Sequence, residues 1–235
     1  MKSRTLVAIP TLNEEVSIVK IIRGIKSNIN NVDILVVDGY SKDSTAQKAR
    51  SQGAKVIQIE KSFGIGLAIE TAILFAFLFN YKFLVRMDGD GQHKIEDVLK
   101  ILKFAKSNKH DLVIGSRFNN FAEYKTTVLR MFGIKLFSFL IRLIYKINIK
   151  DCTSGCQVLS YNFLRRIIKN KNFIYSEVGL ICEGALSNMK ISEIGINMKF
   201  RKYGKSSFNF FNSFKYMFVN LISLISSIAE IKEKK

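Results

Sequence analysis

"FLVRMDGDGQHK", residues Phe83 to Lys94, runs from an apolar-biased segment into two aspartates one residue apart, then a glutamine and a histidine. Residues two apart on an extended chain point to the same side. Asp88 and Asp90 therefore present their carboxylates to one point, and Gln92 reaches the same region through its carbonyl. Two hard anionic oxygens with open positions suit Mg²⁺ or Mn²⁺, ions that keep water and bind substrate phosphates. Aspartate and glycine also make ordinary surface turns. The surroundings weigh against such a turn: Phe83-Leu84-Val85 reads as a short buried strand, and similar polar loops follow other buried strands.

Working outward, Leu6–Ile9, Ile34–Val37, Val56–Ile59 and Leu112–Ile114 read as further short strands. Helical patterns lie between them, over 14–27, 42–52, 64–79 and 95–107. Short apolar strands alternating with helices predict an α/β fold, a mostly parallel sheet with helices on both faces. Ligands of such sheets sit at the carboxyl ends of the strands. The polar clusters fall there: Pro10–Glu14, Asp38–Ser41, Asp88–His93 and Ser116-Arg117.

The alternation stops after residue 120. Residues 128–150 form a helical candidate with Lys135, Arg142 and Lys146 near one face and Phe and Leu on the other, a pattern suited to a membrane interface. A helix packed on the domain with a solvated basic edge fits the same pattern. Near the end, Phe214, Phe218, Leu221, Ile225 and Ile228 recur at helical spacing. The uncharged core of that segment, Tyr216 to Ala229, is shorter than the roughly 20 residues that span a bilayer. The expected organisation is a domain over 1–206, including an amphipathic stretch over 124–150, and a membrane-associated tail over 207–235.

The 235 residues are 48% hydrophobic, which excludes disorder, and carry a net charge of +18, which points to an anionic partner. Three cysteines are too few for a disulfide framework and read as buried hydrophobes in a reducing compartment. The apolar run near the N-terminus is too short for a signal peptide, so the expected location is the cytoplasmic face of a membrane. A basic nucleic-acid-binding protein is the competing class. Against it, Lys and Arg are spread along the chain without aromatic interleaving, and no nucleic-acid motif is present.

Taken together, "VAIPTLNEE", "VVDGYSKDST", "GIGLA", "RMDGDGQH", "LVIGSRF" and "DCTSGCQ" resemble, in order and spacing, the family 2 glycosyltransferases of the GT-A fold. The nearest likeness is to the dolichyl-phosphate mannose synthase and polyprenyl-phosphate glycosyltransferase branch, over about residues 4 to 207. The resemblance implies inverting transfer of a mannose- or glucose-type sugar from a GDP- or UDP-sugar to a polyprenyl or dolichyl phosphate, with Mg²⁺ or Mn²⁺. It assigns the nucleotide sugar to Pro10, Thr11, Asn13, Glu14, Asp38, Gly39, Ser41, Gly64, Gly66, Asp88, Gly89 and Asp90. It assigns the metal to Asp88, Asp90 and Gln92, and the acceptor phosphate to Arg117, Arg130, Arg201, Lys205 and Ser206. Asp90 and Arg117 would carry catalysis.

Several positions depart from the family pattern. Asp38-Gly39 replaces a double aspartate, Lys94 replaces a proline, and Ser154-Gly155-Cys156-Gln157 replaces Ser-Gly-Phe-Arg. Glu193-Ile194-Gly195-Ile196 lacks the family's proline. A sugar hydroxyl acceptor needs a carboxylate base, and no Glu-Asp pair follows residue 97. Asp151, Glu177 and Glu183 are the lone candidates for an enzyme extending a polysaccharide or glycolipid. A lipid phosphate, already anionic, needs arginine forks instead.

Overall fold

Seven uncharged residues, Thr5–Thr11, make the first strand, β1, and all but Pro10 are buried. The computed structural model describes residues 4–59, 64–118, 128–170, 173–199 and 210–233. From β1 the chain alternates through α1 (Ile18–Asn28), β2 (Val32–Asp38), α2 (Thr45–Ser51), β3 (Lys55–Gln58), α3 (Gly64–Leu78), β4 (Phe83–Arg86), α4 (Ile95–Ser107) and β5 (Leu112–Ser116). It continues through α5 (Val128–Tyr145), β6 (Gln157–Ser160), α6 (Tyr161–Lys169), α7 (Glu177–Leu186), β7 (Ile191–Gly195) and α8 (Phe210–Glu233).

The predicted strands are all present within a residue or two. Among the helices, α1 begins at Ile18 rather than 14, because residues 12–17 are held in a loop where Ser17 N–H and Ile18 N–H both bond to Glu14 C=O. Helix α5 stops at Tyr145 rather than 150, where Lys146 takes a left-handed φ of 57°.

The sheet runs in the order β3-β2-β1-β4-β6-β5-β7. Strands β3, β2, β1 and β4 pair in parallel, β5 pairs in parallel with β7, and β6 lies antiparallel between β4 and β5. Alternation along the strands divides the interior in two. Leu6, Ala8, Leu35, Val37 and Leu84 face one core with α3, α6 and α7, while Val7, Ile9, Ile34, Val36 and Val85 face the other with α1 and α4. Both faces of the sheet are thus covered, and the parallel strands end their carboxyl termini along one edge.

The C-terminal helix is part of this body. Leu224 joins the first core; Asn220 Oδ1 accepts from Val178 N–H, and the Ser223 and Ser176 hydroxyls bond at 2.8 Å. Among the described residues no helix is long and apolar enough to cross a membrane.

Candidate active site

Four loops converge on the carboxyl edge of β1, β2, β4 and β5, and two glycines set how closely they approach. A Cβ at Gly89 would stand 2.5 Å from Thr11 Cγ2 and 3.1 Å from Pro10 O, so the residue between the two aspartates has to lack a side chain. Gly89 C=O also accepts from Ser17 Oγ at 2.6 Å. A Cβ at Gly155 would stand 2.7 Å from Asp88 Oδ1. The Asp88 carboxylate therefore lies over bare backbone of the 151–156 loop.

Asp88 Oδ2 pairs with His93 Nε2 at 3.3 Å. Burial pushes the Asp88 carboxyl up, but the His93 hydrogen bond and the charges of His93, Arg86 and Arg117 outweigh it and hold it down to about 2. Its side chain remains 43% exposed. Asp90 is half-buried, and its Oδ1 accepts from Gln92 N–H at 3.0 Å, which closes the turn through Gly91, at φ 76°. Gln92 in turn donates Nε2–H to Lys199 C=O and accepts from Lys199 N–H. His93 Nδ1 is buried and finds no hydrogen-bond partner among the described residues.

This donor set fits a hard divalent ion. Among the described residues no group of three His, Cys, Asp or Glu gathers into a cage, and the hard oxygens of Asp88, Asp90 and Gln92 are the donors this loop carries. Mg²⁺ and Mn²⁺ bind in such settings by sharing their sphere with substrate phosphates.

The neighbouring loops are braced to one another. Asn13 N–H donates to Ser41 Oγ, Lys42 N–H to Asn13 Oδ1, and Glu14 N–H to Thr45 Oγ1, each within 2.9 Å. Asp38 is fully buried and accepts from Ser41 N–H, Ser41 Oγ, Thr11 Oγ1 and Gln58 Nε2. Its carboxylate is spent on tying the loops together. Gly39 N–H bonds to Thr11 C=O at 2.8 Å. Gly64, at φ 68°, opens α3, and Gly66 packs close to Tyr175 C=O, 3.1 Å from where a Cβ would stand.

Arg117 reaches the expected edge, but it is only 4% exposed and its fork is engaged. Nε–H and one Nη2–H bond to the two oxygens of Asp151 at 2.7 and 2.6 Å, and Nη2 also donates to Thr153 Oγ1 at 2.8 Å. Arg130 is half-buried near the start of α5. Arg201, Lys205 and Ser206 lie outside the described residues.

The lone carboxylates are likewise committed. Asp151 takes the Arg117 pair, and Glu183 accepts from Arg166, Ser187 and Asn170. Glu177 pairs with the buried Arg86 at 2.9 Å and accepts from Tyr216 Oη at 2.8 Å. Sequence reasoning left the roles of Gly155, Ser17 and Arg86 unassigned. The only local signal for Gly155 was its place in the "DCTSGCQ" segment, since its neighbour Asp88 is far away in the chain.

Comparison with known proteins decides the class. The profile of "Glycosyl transferase family 2" matches residues 6–168. The chain belongs to glycosyl transferase family 2. Its relatives include an undecaprenyl-phosphate mannosyltransferase of Micrococcus luteus, 28% identical, covering 88% of each chain. A UDP-N-acetylglucosamine–dolichyl-phosphate N-acetylglucosaminyltransferase of Methanococcus voltae is 26% identical, covering 83% of this chain and 85% of that one. Among solved structures, the Mycobacterium tuberculosis glucosyl-3-phosphoglycerate synthase in complex with Mn²⁺, UDP-glucose and phosphoglyceric acid superposes with a TM-score of 0.72. It is 17% identical and matched over 96% of this chain and 80% of its own, a likeness of fold. This family 2 member is thus a glycosyltransferase of the GT-A fold, and its relatives include proteins named as polyprenyl-phosphate and dolichyl-phosphate sugar transferases.

Proposed function

We propose that the enzyme transfers a mannose- or glucose-type sugar from a GDP- or UDP-sugar to a polyprenyl phosphate at the cytoplasmic face of a membrane, with inversion. The observation that carries this reading is the state of the carboxylates. Asp151, Glu177 and Glu183, the candidates for deprotonating a sugar hydroxyl, are each locked into an arginine pair. A phosphate acceptor needs no base, because it is already an anion at neutral pH.

In the proposed reaction an acceptor phosphate oxygen attacks the anomeric carbon. A bond from that oxygen to carbon forms, the bond to the donor's β-phosphate breaks, and the nucleoside diphosphate leaves with the electron pair. Asp88, Asp90 and Gln92 would hold a Mg²⁺ or Mn²⁺ ion, which supplies Lewis-acid stabilisation of the departing diphosphate. Pro10, Thr11, Asn13, Glu14, Gly39, Ser41, Gly64, Gly66 and Gly89 would form the donor cradle, and Asp38 would keep its two loops together. Arg130, Arg201, Lys205 and Ser206 would receive the acceptor phosphate. Arg117 would serve them by fastening the 151–156 loop beneath Asp88 and by adding positive charge there.

Two exposed apolar stripes support a seat on the membrane. Val128, Phe132, Leu136, Phe139 and Leu143 line α5, with exposed Lys135, Arg142 and Lys146 alongside. Phe218, Leu221, Ile222 and Ile225 line α8. Apolar stripes flanked by basic residues suit peripheral binding in an interface.

The test is to incubate the full chain and Mn²⁺ with a panel of nucleotide sugars, with and without polyprenyl phosphate, and identify products by mass spectrometry. A polyprenyl-phosphate hexose from one donor is expected. Transfer to a saccharide acceptor alone would overturn the reading.

A further inference from the structure

We propose that Tyr40 is the stacking platform for the donor's nucleobase, an inference that rests on the reading of the chain as a nucleotide-sugar transferase. Tyr40 stands two residues past β2 with φ 62°, in the left-handed region that aromatic side chains seldom occupy. Its side chain is 68% exposed. Among the described residues it makes no hydrogen bond, ion pair or ring contact. A large ring two-thirds exposed on a disfavoured backbone, with no polar or ring partner among the described residues, is poorly explained by folding alone; such positions cluster where a ligand is met.

The backbone beneath the ring is fixed. On one side Asp38 accepts its four hydrogen bonds, two of them from Ser41. On the other, Ser41 and Lys42 are bonded to Asn13. The loop is also tied to the metal-binding candidates through one residue: Thr11 C=O accepts Gly39 N–H, while Thr11 Cγ2 abuts Gly89 between Asp88 and Asp90. A diphosphate held at the aspartates would thus have its nucleoside end within the reach of the β2 loop.

What that loop offers a base follows by elimination. The Asp38 carboxylate is fully buried and has its acceptor sites taken, so it has none to spare for a base N–H. Gly39 has no side chain. Tyr40 is the one aromatic residue in the 38–43 loop and is exposed, and stacking accepts any base because every base has a π-face. The β2 loop therefore contributes affinity for the nucleoside with little discrimination between uracil and guanine.

The experiment is calorimetric titration of the full chain, with Mn²⁺ present, by UDP, GDP and pyrophosphate. Tyr40→Ala is expected to weaken both nucleotides about 5- to 150-fold while leaving pyrophosphate unchanged. Tyr40→Phe should bind like the wild type. Tyr40→Gly should lose the same affinity and yet melt at a higher temperature, because glycine takes the left-handed backbone freely. The inference is overturned if Tyr40→Ala binds both nucleotides as the wild type does, if it loses pyrophosphate in equal measure, or if Tyr40→Phe does not restore binding. A wild-type chain that binds pyrophosphate but neither nucleotide would overturn the donor reading itself, and the inference with it.

Discussion

Asp88 is held by what lies beneath it as much as by its own charge. Gly155→Ala would place a methyl group 2.7 Å from Asp88 Oδ1, and the carboxylate would have to turn away. We expect Mn²⁺ affinity to fall roughly 10- to 100-fold, as for other losses of metal-site support, with the thermal midpoint little changed; titration calorimetry and a melting curve check both. Asp90→Asn removes one anionic ligand from the proposed ion, and turnover should fall roughly 10²–10³-fold with the fold intact. Full turnover by that variant in excess chelator would sink the metal assignment. Arg117 gives a different signature. Arg117→Ala strands Asp151, which is fully buried, and should destabilise the fold by about 3–5 kcal/mol, read from denaturant unfolding. Arg117→Lys should recover only part, because a point charge cannot reproduce the two-toothed pair to Asp151. The three cysteines are buried, and burial pushes the Cys182 thiol up to about 11 and Cys152 up to about 12. The unfolded chain therefore loses these protons first as pH rises. Their contribution to stability is complete below about pH 8.5, the ordinary thiol value, and is lost as pH climbs through the folded values. Iodoacetamide at pH 8 should leave all three unmodified in the native protein and label all three in denaturant.

At the scale of elements, α8 shows why amphipathic pattern alone does not make a detachable tail. Leu224, Asn220 and Ser223 are buried, Tyr216 bonds Glu177 of α7, and Tyr145 of α5 bonds Ser227 at 2.6 Å. Removing residues 208–235 would uncover α7 and leave Glu177, the partner of Arg86, without the Tyr216 hydroxyl, so the truncated chain should be less stable. Substitutions on the outward face separate membrane seating from folding. Phe132→Ser with Phe139→Ser on α5, or Phe218→Ser with Ile225→Ser on α8, alter only exposed residues. Each pair should shift stability by no more than about 1 kcal/mol, at about 0.5 for each surface change. Flotation with liposomes containing anionic lipid should nevertheless drop, because the apolar area entering the interface is lost. Unchanged flotation by both pairs would mean that the stripes are not the seat.

For the whole molecule, the alternation of buried strands and helices was legible because it is local. Period-2 and period-3.6 burial are properties of a few consecutive residues, so β1 to β5 and α1 to α4 could be placed with their polar loops on one edge. The family likeness was legible for the same reason, since its motifs are short and each sits inside one loop. What lay beyond local pattern was pairing between distant segments. Strand β6, only four residues long, enters antiparallel between β4 and β5, and no local pattern in Gln157–Ser160 states which strands flank it. Arg117 and Asp151 stand 34 positions apart, and their meeting turned an expected open fork into a buried pair. Asp38 was readable as an acid at a strand end; its saturation by Thr11 and Gln58, beside Ser41 of its own loop, depended on two other segments arriving around it. The sequence by itself determined the layers, the edge and the chemical types gathered there. The tertiary structure alone decided which charges remain available, because a side chain's hydrogen-bonding capacity is spent on whichever partners the fold brings within about 3 Å.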